Sequence, residues 1–247
     1  MRAHIPFLDT NALDWREVAP GLFSKLLSRD DETGARTALN RMVPELGMKP
    51  PGGPHYHHTA EELFVVKGRF SFDSRTWLTP FSYCFHPPET VHGFKSNVPE
   101  ETWFLSRIGR ELDFNWVTNP TSNSAYYVSE TPPERSVVYI QNPRVDGWED
   151  LEDSNGKVNA KHRMLSEHPS TFEGSKLLQL KPGWQSASRL LHSYQETYVI
   201  EGLIEGDDGT QFTKACYAFF PPGTERPGLR SPNGALLYVN YGGINST

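Results

Sequence analysis

Glu62-Leu63-Phe64-Val65-Val66-Lys67-Gly68 returns 134 residues later as Glu196-Thr197-Tyr198-Val199-Ile200-Glu201-Gly202. At the same offset, Tyr83-Cys84-Phe85-His86-Pro87-Pro88 returns as Tyr217-Ala218-Phe219-Phe220-Pro221-Pro222. Upstream the offset is 138, where Leu27-Ser28 and Met42-Val43-Pro44 match Leu165-Ser166 and Leu180-Lys181-Pro182. The four extra residues of the first copy fall in Gly47-Met48-Lys49-Pro50-Pro51-Gly52-Gly53-Pro54, a longer loop. Two copies at this period mean a duplicated domain rather than a solenoid of short repeats.

Each copy alternates strand-like runs with turn residues. Phe64–Val66, Lys67-Gly68 and Arg69–Phe72 read as a hairpin, and so do Tyr198–Ile200, Glu201-Gly202 and Leu203-Ile204. Ala35–Val43 and Ser175–Leu180 read as further strands. The chain holds 14 Phe, 10 Tyr and 6 Trp with 20 Gly and 20 Pro, which also fits short strands and many turns. The expected fold class is all-β, two tandem β-barrels: residues 1–115, then a linker and irregular segment at 116–159, then 160–247. The charged stretch Trp148–Asn159 reads as loop. Leu8–Val18 has room for one short helix capped by Asp9, Thr10 or Asn11.

The formal charge of -6 and the absence of a basic block argue against nucleic acid. No run approaches the roughly 20 apolar residues of a membrane helix. The segment from Met1 to Asp9 lacks the apolar stretch of a signal peptide, so the expected location is cytoplasmic and no membrane partner is expected. Cys84 and Cys216 sit in apolar segments and read as buried free thiols.

Three of the nine histidines crowd into His55-Tyr56-His57-His58, followed by Glu61 and Glu62. Residues two apart on a strand share a face, so His55 and His57 can converge while Tyr56 turns away. Glu61 can return to that point on the next strand, and His92, after Pro87-Pro88, from a later one. Strand alternation lets only one of Glu61 and Glu62 point inward. Three imidazoles and a carboxylate suit a divalent transition metal, one ion per chain. Iron or zinc is expected first, and manganese, nickel or copper would also fit. His58, Glu62, His86, Tyr83 and Phe94 are candidates for the surrounding shell or pocket, His58 and His86 with ordinary surface and packing roles as alternatives. Nothing marks a site for an organic cofactor.

These residues resemble the cupin superfamily. His55, His57, Glu61 and Gly68 match its first motif, His-x-His-x3,4-Glu-x6-Gly, and Pro87 and His92 match Pro-x4-His of the second. The six residues between Glu61 and Gly68 favour Glu61 as the ligand. Phe81, Ser96 and Lys49 stand where the motifs have Gly, Asn and Gly. Leu27–Leu39 is similar to the cupin domain of zinc-binding anti-sigma factors and their two-barrel relatives, with residues 20–108 and 160–242 covered. The resemblance implies jelly-roll barrels and a metal-dependent dioxygenase acting on a small enolisable or phenolic compound, with Glu61 as ligand and catalytic base. A non-redox lyase or isomerase, or a metal or small-molecule sensor binding a protein partner, are the alternative readings. A homodimer is also possible.

Carried across the repeat, His55 becomes Arg189, His57 Leu191, Glu61 Gln195 and His92 Arg226. No metal is therefore expected in the second barrel. Arg189 and Arg226 have three possible roles there: binding an anion, pairing with Glu196 or Glu225, or lying in solvent.

Overall fold

The computed structural model describes residues 2–153 and 156–242. Met1, 154–155 and 243–247, which the expected domain limits include, lie outside them. Regular structure among the described residues is strand, apart from two 3-10 turns, Thr10–Ala12 and Pro44–Leu46. The first is the expected short helix, capped by Asp9, whose side chain accepts from Asn11 N–H. Among the described residues no helix is long and apolar enough to cross a membrane.

The chain divides into two compact units. The first is Asp14–Val145; the second joins Met1–Leu13 to Asp146–Thr247. The first has a seven-stranded antiparallel sheet in the order Val138–Ile140, Tyr83–His86, Glu61–Lys67, Thr102–Ile108, Arg36–Met42, Leu22–Arg29, Arg16–Ala19. The second repeats it as Ile5–Asp9, Cys216–Phe220, Gln195–Gly202, Ala235–Tyr241, Gly174–Leu180, Val158–Glu167, Trp148–Glu152. Shorter strands complete each unit. In the first these include His55–Tyr56 with Asn115–Trp116 and Thr90–Val91 with Tyr126–Tyr127.

The expected boundaries at 115 and 160 therefore shift. The segment read as a linker contributes Asn115–Trp116, Tyr126–Tyr127 and Val138–Ile140 to the first unit, and Trp148–Glu152 pairs with Val158–Glu167 in the second. The prolines of 116–159 interrupt strands without preventing two- and three-residue pairings at sheet edges, where an unpaired N–H is tolerated. Each large sheet also takes its edge strand from the segment leading into the other unit. Ile5 and Leu8 face Phe219 and Tyr217, just as Val138 and Ile140 face the equivalent Phe85 and Tyr83.

The hairpins expected at Gly68 and Gly202 are corners instead. Glu61–Lys67 pairs with Thr102–Ile108 and Tyr83–His86, whereas Phe70–Ser71 beyond the glycine pairs with Trp77–Leu78 in a separate sheet. A Lys-Gly pair supplies the same positive φ to either kind of turn, and Gly68 has φ +71°. A side chain there would meet the Glu101 carbonyl at 2.2 Å, so the corner closes only on glycine.

Alternation along Glu61–Lys67 sends Leu63 and Val65 into the core with Met42, Phe70, Leu78 and Cys84. Glu61 shares that face. Glu62 takes the opposite one and is 1% exposed. There Tyr83 Oη donates to Glu62 Oε1 at 2.9 Å, Arg135 donates to the same oxygen, and Arg107 donates to Oε2 at 3.3 Å. The Arg135 guanidinium lies 3.8 Å from the Phe85 ring centre. The second unit repeats the arrangement. Tyr217 and Arg2 donate to Glu196 Oε1 at 2.5 and 3.2 Å, and Arg2 lies over Phe219. Arg135 and Arg2 each precede their edge strand by three residues, so the triad pins that strand to its sheet. Both cysteines are buried and free, as expected.

Removing the carboxylate of such a triad leaves buried cations without their counter-charge. Glu62→Ala is expected to lower the unfolding free energy by about 3–5 kcal/mol in urea denaturation. Glu61→Ala, on the other face, should cost much less. A loss below about 1 kcal/mol for Glu62→Ala would rule out the pinning role.

Candidate metal centre

The two histidine motifs meet at one sheet pairing. His55 N–H donates to His92 O at 3.0 Å and His92 N–H to His55 O at 2.9 Å, a bridge that fixes their side chains beside each other. His57 follows the same short strand. One ring nitrogen of each of His55, His57 and His92 lies within 4.8 Å of the others, and all three residues are buried. Glu61, His86 and His92 form a second such group, so His92 joins the two. Glu61 Oε2 is 3.5 Å from His92 Nε2.

The tautomers follow from the hydrogen bonds. His55 Nδ1 lies 2.8 Å from Gly53 O, His92 Nδ1 lies 2.9 Å from Thr90 O, and His57 Nδ1 contacts Asp113 O. A carbonyl only accepts, so each Nδ1 carries the proton and each Nε2 keeps its lone pair. Ligand histidines are held in this way at metal sites. Burial, foremost, holds the pKa of His55 down and that of His92 well down, which keeps both neutral. For Glu61 burial pulls the pKa up, but the hydrogen bond from His86 and the electrostatic pull of the imidazoles around it prevail and bring it to about 2. His55 and His92 thus offer neutral imidazoles and Glu61 an ionised carboxylate, the states a cation requires.

The register places His86 directly across from Glu61. His86 Nδ1 donates to Glu61 Oε2 at 3.2 Å, and Tyr139 Oη donates to His86 Nε2 at 2.6 Å. Burial and the nearby Cys84 and Glu61 push the Tyr139 pKa well up, so its hydroxyl remains a donor. A cavity of about 280 Å³ adjoins His92 and is lined by Phe72, Phe94, Val137 and Tyr139 among others. On another side two aromatics stack, Phe114 and Trp116, with ring centres 6.0 Å apart. Their rings lie 5.2 Å from that of His55, yet they are 46% and 56% exposed.

Of the residues predicted for this site, His55, His57, Glu61, His86 and His92 come together, and Phe94 lines the adjoining cavity. Glu62 and Tyr83 do not: their strand parity sends them to the opposite face, into the Arg135 triad. His58 is exposed and binds Asp113, with Nδ1 2.5 Å from Oδ2. Sequence reasoning missed Gly53, Asp113, Phe114, Trp116 and Tyr139. The two aromatics had one signal, a spacing of two residues in Phe114-Asn115-Trp116, which puts both on one face of a strand.

In the second unit Arg189 and Arg226 face each other across a strand pair, as His55 and His92 do in the first. Neither arginine pairs with Glu196 or Glu225. Arg189 donates to Gln195 Oε1 at 2.8 Å, and Arg226 to Ser186 Oγ at 2.9 Å and Ala187 O at 3.3 Å.

Residues 6–108 match the model of the ChrR Cupin-like domain, and residues 140–245 match a domain of unknown function, DUF4437. No curated protein matches the chain. A Nostoc punctiforme protein provisionally assigned as a dioxygenase is similar in structure, at 20% identity and a TM-score of 0.75, covering 98% of this chain and 83% of its own. Salicylate 1,2-dioxygenase of Pseudaminobacter salicylatoxidans gives 10% identity and a TM-score of 0.55, with 92% and 72% covered. Oxalate decarboxylase of Bacillus subtilis gives 13% and 0.54, with 95% and 76% covered. At these identities the likeness concerns the fold. The repeated sheet, the match of residues 6–108 to a cupin-like domain and the shared architecture give the chain a two-barrel cupin fold.

Proposed function

We propose that the first unit is a metal-dependent oxygenase site, with His55, His57, Glu61 and His92 holding one divalent ion and a small enolisable or phenolic compound as substrate. The observation that carries this reading is that three tautomerically fixed imidazoles and, through the shared His92, the ionised Glu61 lie together beside a cavity. A closed tetrahedral zinc site needs no such space, whereas a catalytic site keeps a position open to it. At about 280 Å³ the cavity is near the lower end of ligand pockets and suits a compact molecule. The structurally similar dioxygenases point the same way.

A bound divalent ion would act as a Lewis acid, lowering the pKa of an enol or phenol and presenting it to dioxygen. The protein's own groups do the rest. Phe72 and Phe94 exclude water from one side of the cavity, and Phe114 and Trp116 offer exposed ring faces beside His55. With a pKa of about 2, Glu61 is ionised and suited to be a ligand. It gains strength as a base when its contact with His86 is lost, since that bond is the largest of the influences holding its pKa down. His86 then retains the proton on Nδ1, and Tyr139 supplies a donor behind it.

Metal analysis is the direct test. Wild type should hold about one equivalent of divalent metal per chain, and His57→Ala and His92→Ala at least about tenfold less. Equal metal in all three would remove the site. Iron-loaded protein should consume oxygen on addition of a small phenol or β-diketone, and Trp116→Ala should raise KM more than it lowers kcat. Turnover without oxygen would instead mean non-redox chemistry, and tightly held zinc without turnover a sensor.

Acid should act on the metal-free protein in a definite direction. His55 and His92 bind protons less readily folded than unfolded, where the pKa is ~6.5. The unfolded chain therefore takes up more protons as pH falls through ~6.5, and stability declines below that value. Thermal melts across pH 5–8 should show this decline, and His55→Gln should flatten it.

A further inference from the structure

The second unit encloses a cavity of about 680 Å³ in the place where the first has its histidines. Three cations line it. Arg189 and Arg226 are the cross-strand pair that replaces His55 and His92. Lys176 lies on the strand Gly174–Leu180, at the position of Ala38 in the first copy. Its neighbour across the sheet is Val239, and both line the cavity. Among the described residues none of the three makes an ion pair: Arg189 and Arg226 bond neutral oxygens, and Lys176 lies 4.9 Å from the Tyr241 ring centre.

Arg226 is the most demanding of them, because it is 5% exposed and its Nε has no partner. Burial, then the charge of Arg189, disfavours its cationic form, and Asp207 offsets this only at a distance. Burial and Arg189 likewise press on Lys176, against Glu167. A buried arginine beside two further cations, held together by the fold, calls for a counter-charge.

The two carboxylates in the lining, Glu152 and Asp153, leave the wall with one net positive charge. The remaining surface mixes polar groups with an apolar wall, in which Leu178, Leu237 and Val239 lie on the strand of Lys176 and the one paired with it. An arginine fork matches a carboxylate in shape and charge, and an aliphatic wall matches a hydrocarbon body. We infer that this cavity binds a monocarboxylate with an apolar body, its carboxylate between Arg189 and Arg226 and its body against Leu178, Leu237 and Val239.

Calorimetric titration of the full chain with hexanoate and benzoate tests this. Wild type and His57→Ala should bind both alike, since the site owes nothing to the first unit. Arg189→Gln, which alters an exposed side chain, and Arg226→Gln should each weaken binding by about tenfold or more. Circular dichroism would check that both variants fold, and Arg189→Gln alone decides if Arg226→Gln does not. Hexanol and inorganic phosphate should bind at least about tenfold more weakly. No binding by wild type, binding that survives the Arg189 substitution, or loss in His57→Ala would overturn the assignment. Phosphate binding as tight as that of the carboxylates would overturn its chemical class.

Discussion

Consecutive side chains of a β-strand turn to opposite faces, and at Glu61-Glu62 that rule separates two carboxylates with unrelated work. Glu61 enters the barrel interior among histidines, where neighbouring imidazoles keep it ionised. Glu62 enters the other face, where Tyr83, Arg107 and Arg135 surround it. A slip of one residue in the register would exchange the two. It would put the triad's carboxylate among the histidines and leave Arg135 facing none. The triad and the histidine cluster thus specify the same register from opposite sides of one strand. In the second unit only the triad half of this arrangement remains. Gln195 stands in place of Glu61, while Glu196 keeps its tyrosine and its arginine. Persistence of the triad in both copies suits a role in the fold, and restriction of the histidines to one copy suits a role in chemistry.

The histidine cluster depends on the backbone as much as on side chains. Gly53, Thr90 and Asp113 each give a carbonyl to one Nδ1, and each lies within a loop or at the end of a strand. Main-chain carbonyls cannot be lost by substitution, so the orientation of the rings is fixed by the path of the chain. Asp113 has a second use, because its carboxylate binds His58. His58 therefore helps to position the loop that orients His57 without entering the site itself.

The sequence made the duplication legible because the recurring runs are the central strands of each sheet, where both faces are buried and substitution is constrained on each. The ligand set was legible because its spacing reflects strand geometry: two histidines on one face, and a glutamate in step with a corner glycine. The edges were not legible. Ile5–Asp9 and Val138–Ile140 are short, unlike in sequence, and pair with strands far away in the chain, so no local pattern reveals them. The arginines three residues before each were visible only as isolated charges. Tyr139 escaped for the same reason, since its contact with His86 exists only through the edge pairing. Tyr83 was placed near the site because of its aromatic character, whereas its parity with Glu62 excludes it.

Comparison of the two barrels shows how one backbone serves opposite charges. Residues 55 and 92 in the first copy, and 189 and 226 in the second, occupy the same cross-strand pair. The fold delivers two side chains to one point whatever their type. Gly53 O accepts from His55 in the first copy, and Ala187 O, at the equivalent place, accepts from Arg226 in the second. With histidine the carbonyl fixes a proton on Nδ1 and leaves a lone pair facing inward, which attracts a cation. With arginine every nitrogen is a donor, so the same carbonyl restrains part of the guanidinium and leaves its positive charge in place, which attracts an anion. Exchanging this pair of residues on an unchanged pair of strands, with Leu191 and Gln195 in place of His57 and Glu61, would thus reverse the sign of the guest the barrel favours. Lys176 on the adjoining sheet, where the first copy has Ala38, extends that reversal into the wall of the cavity.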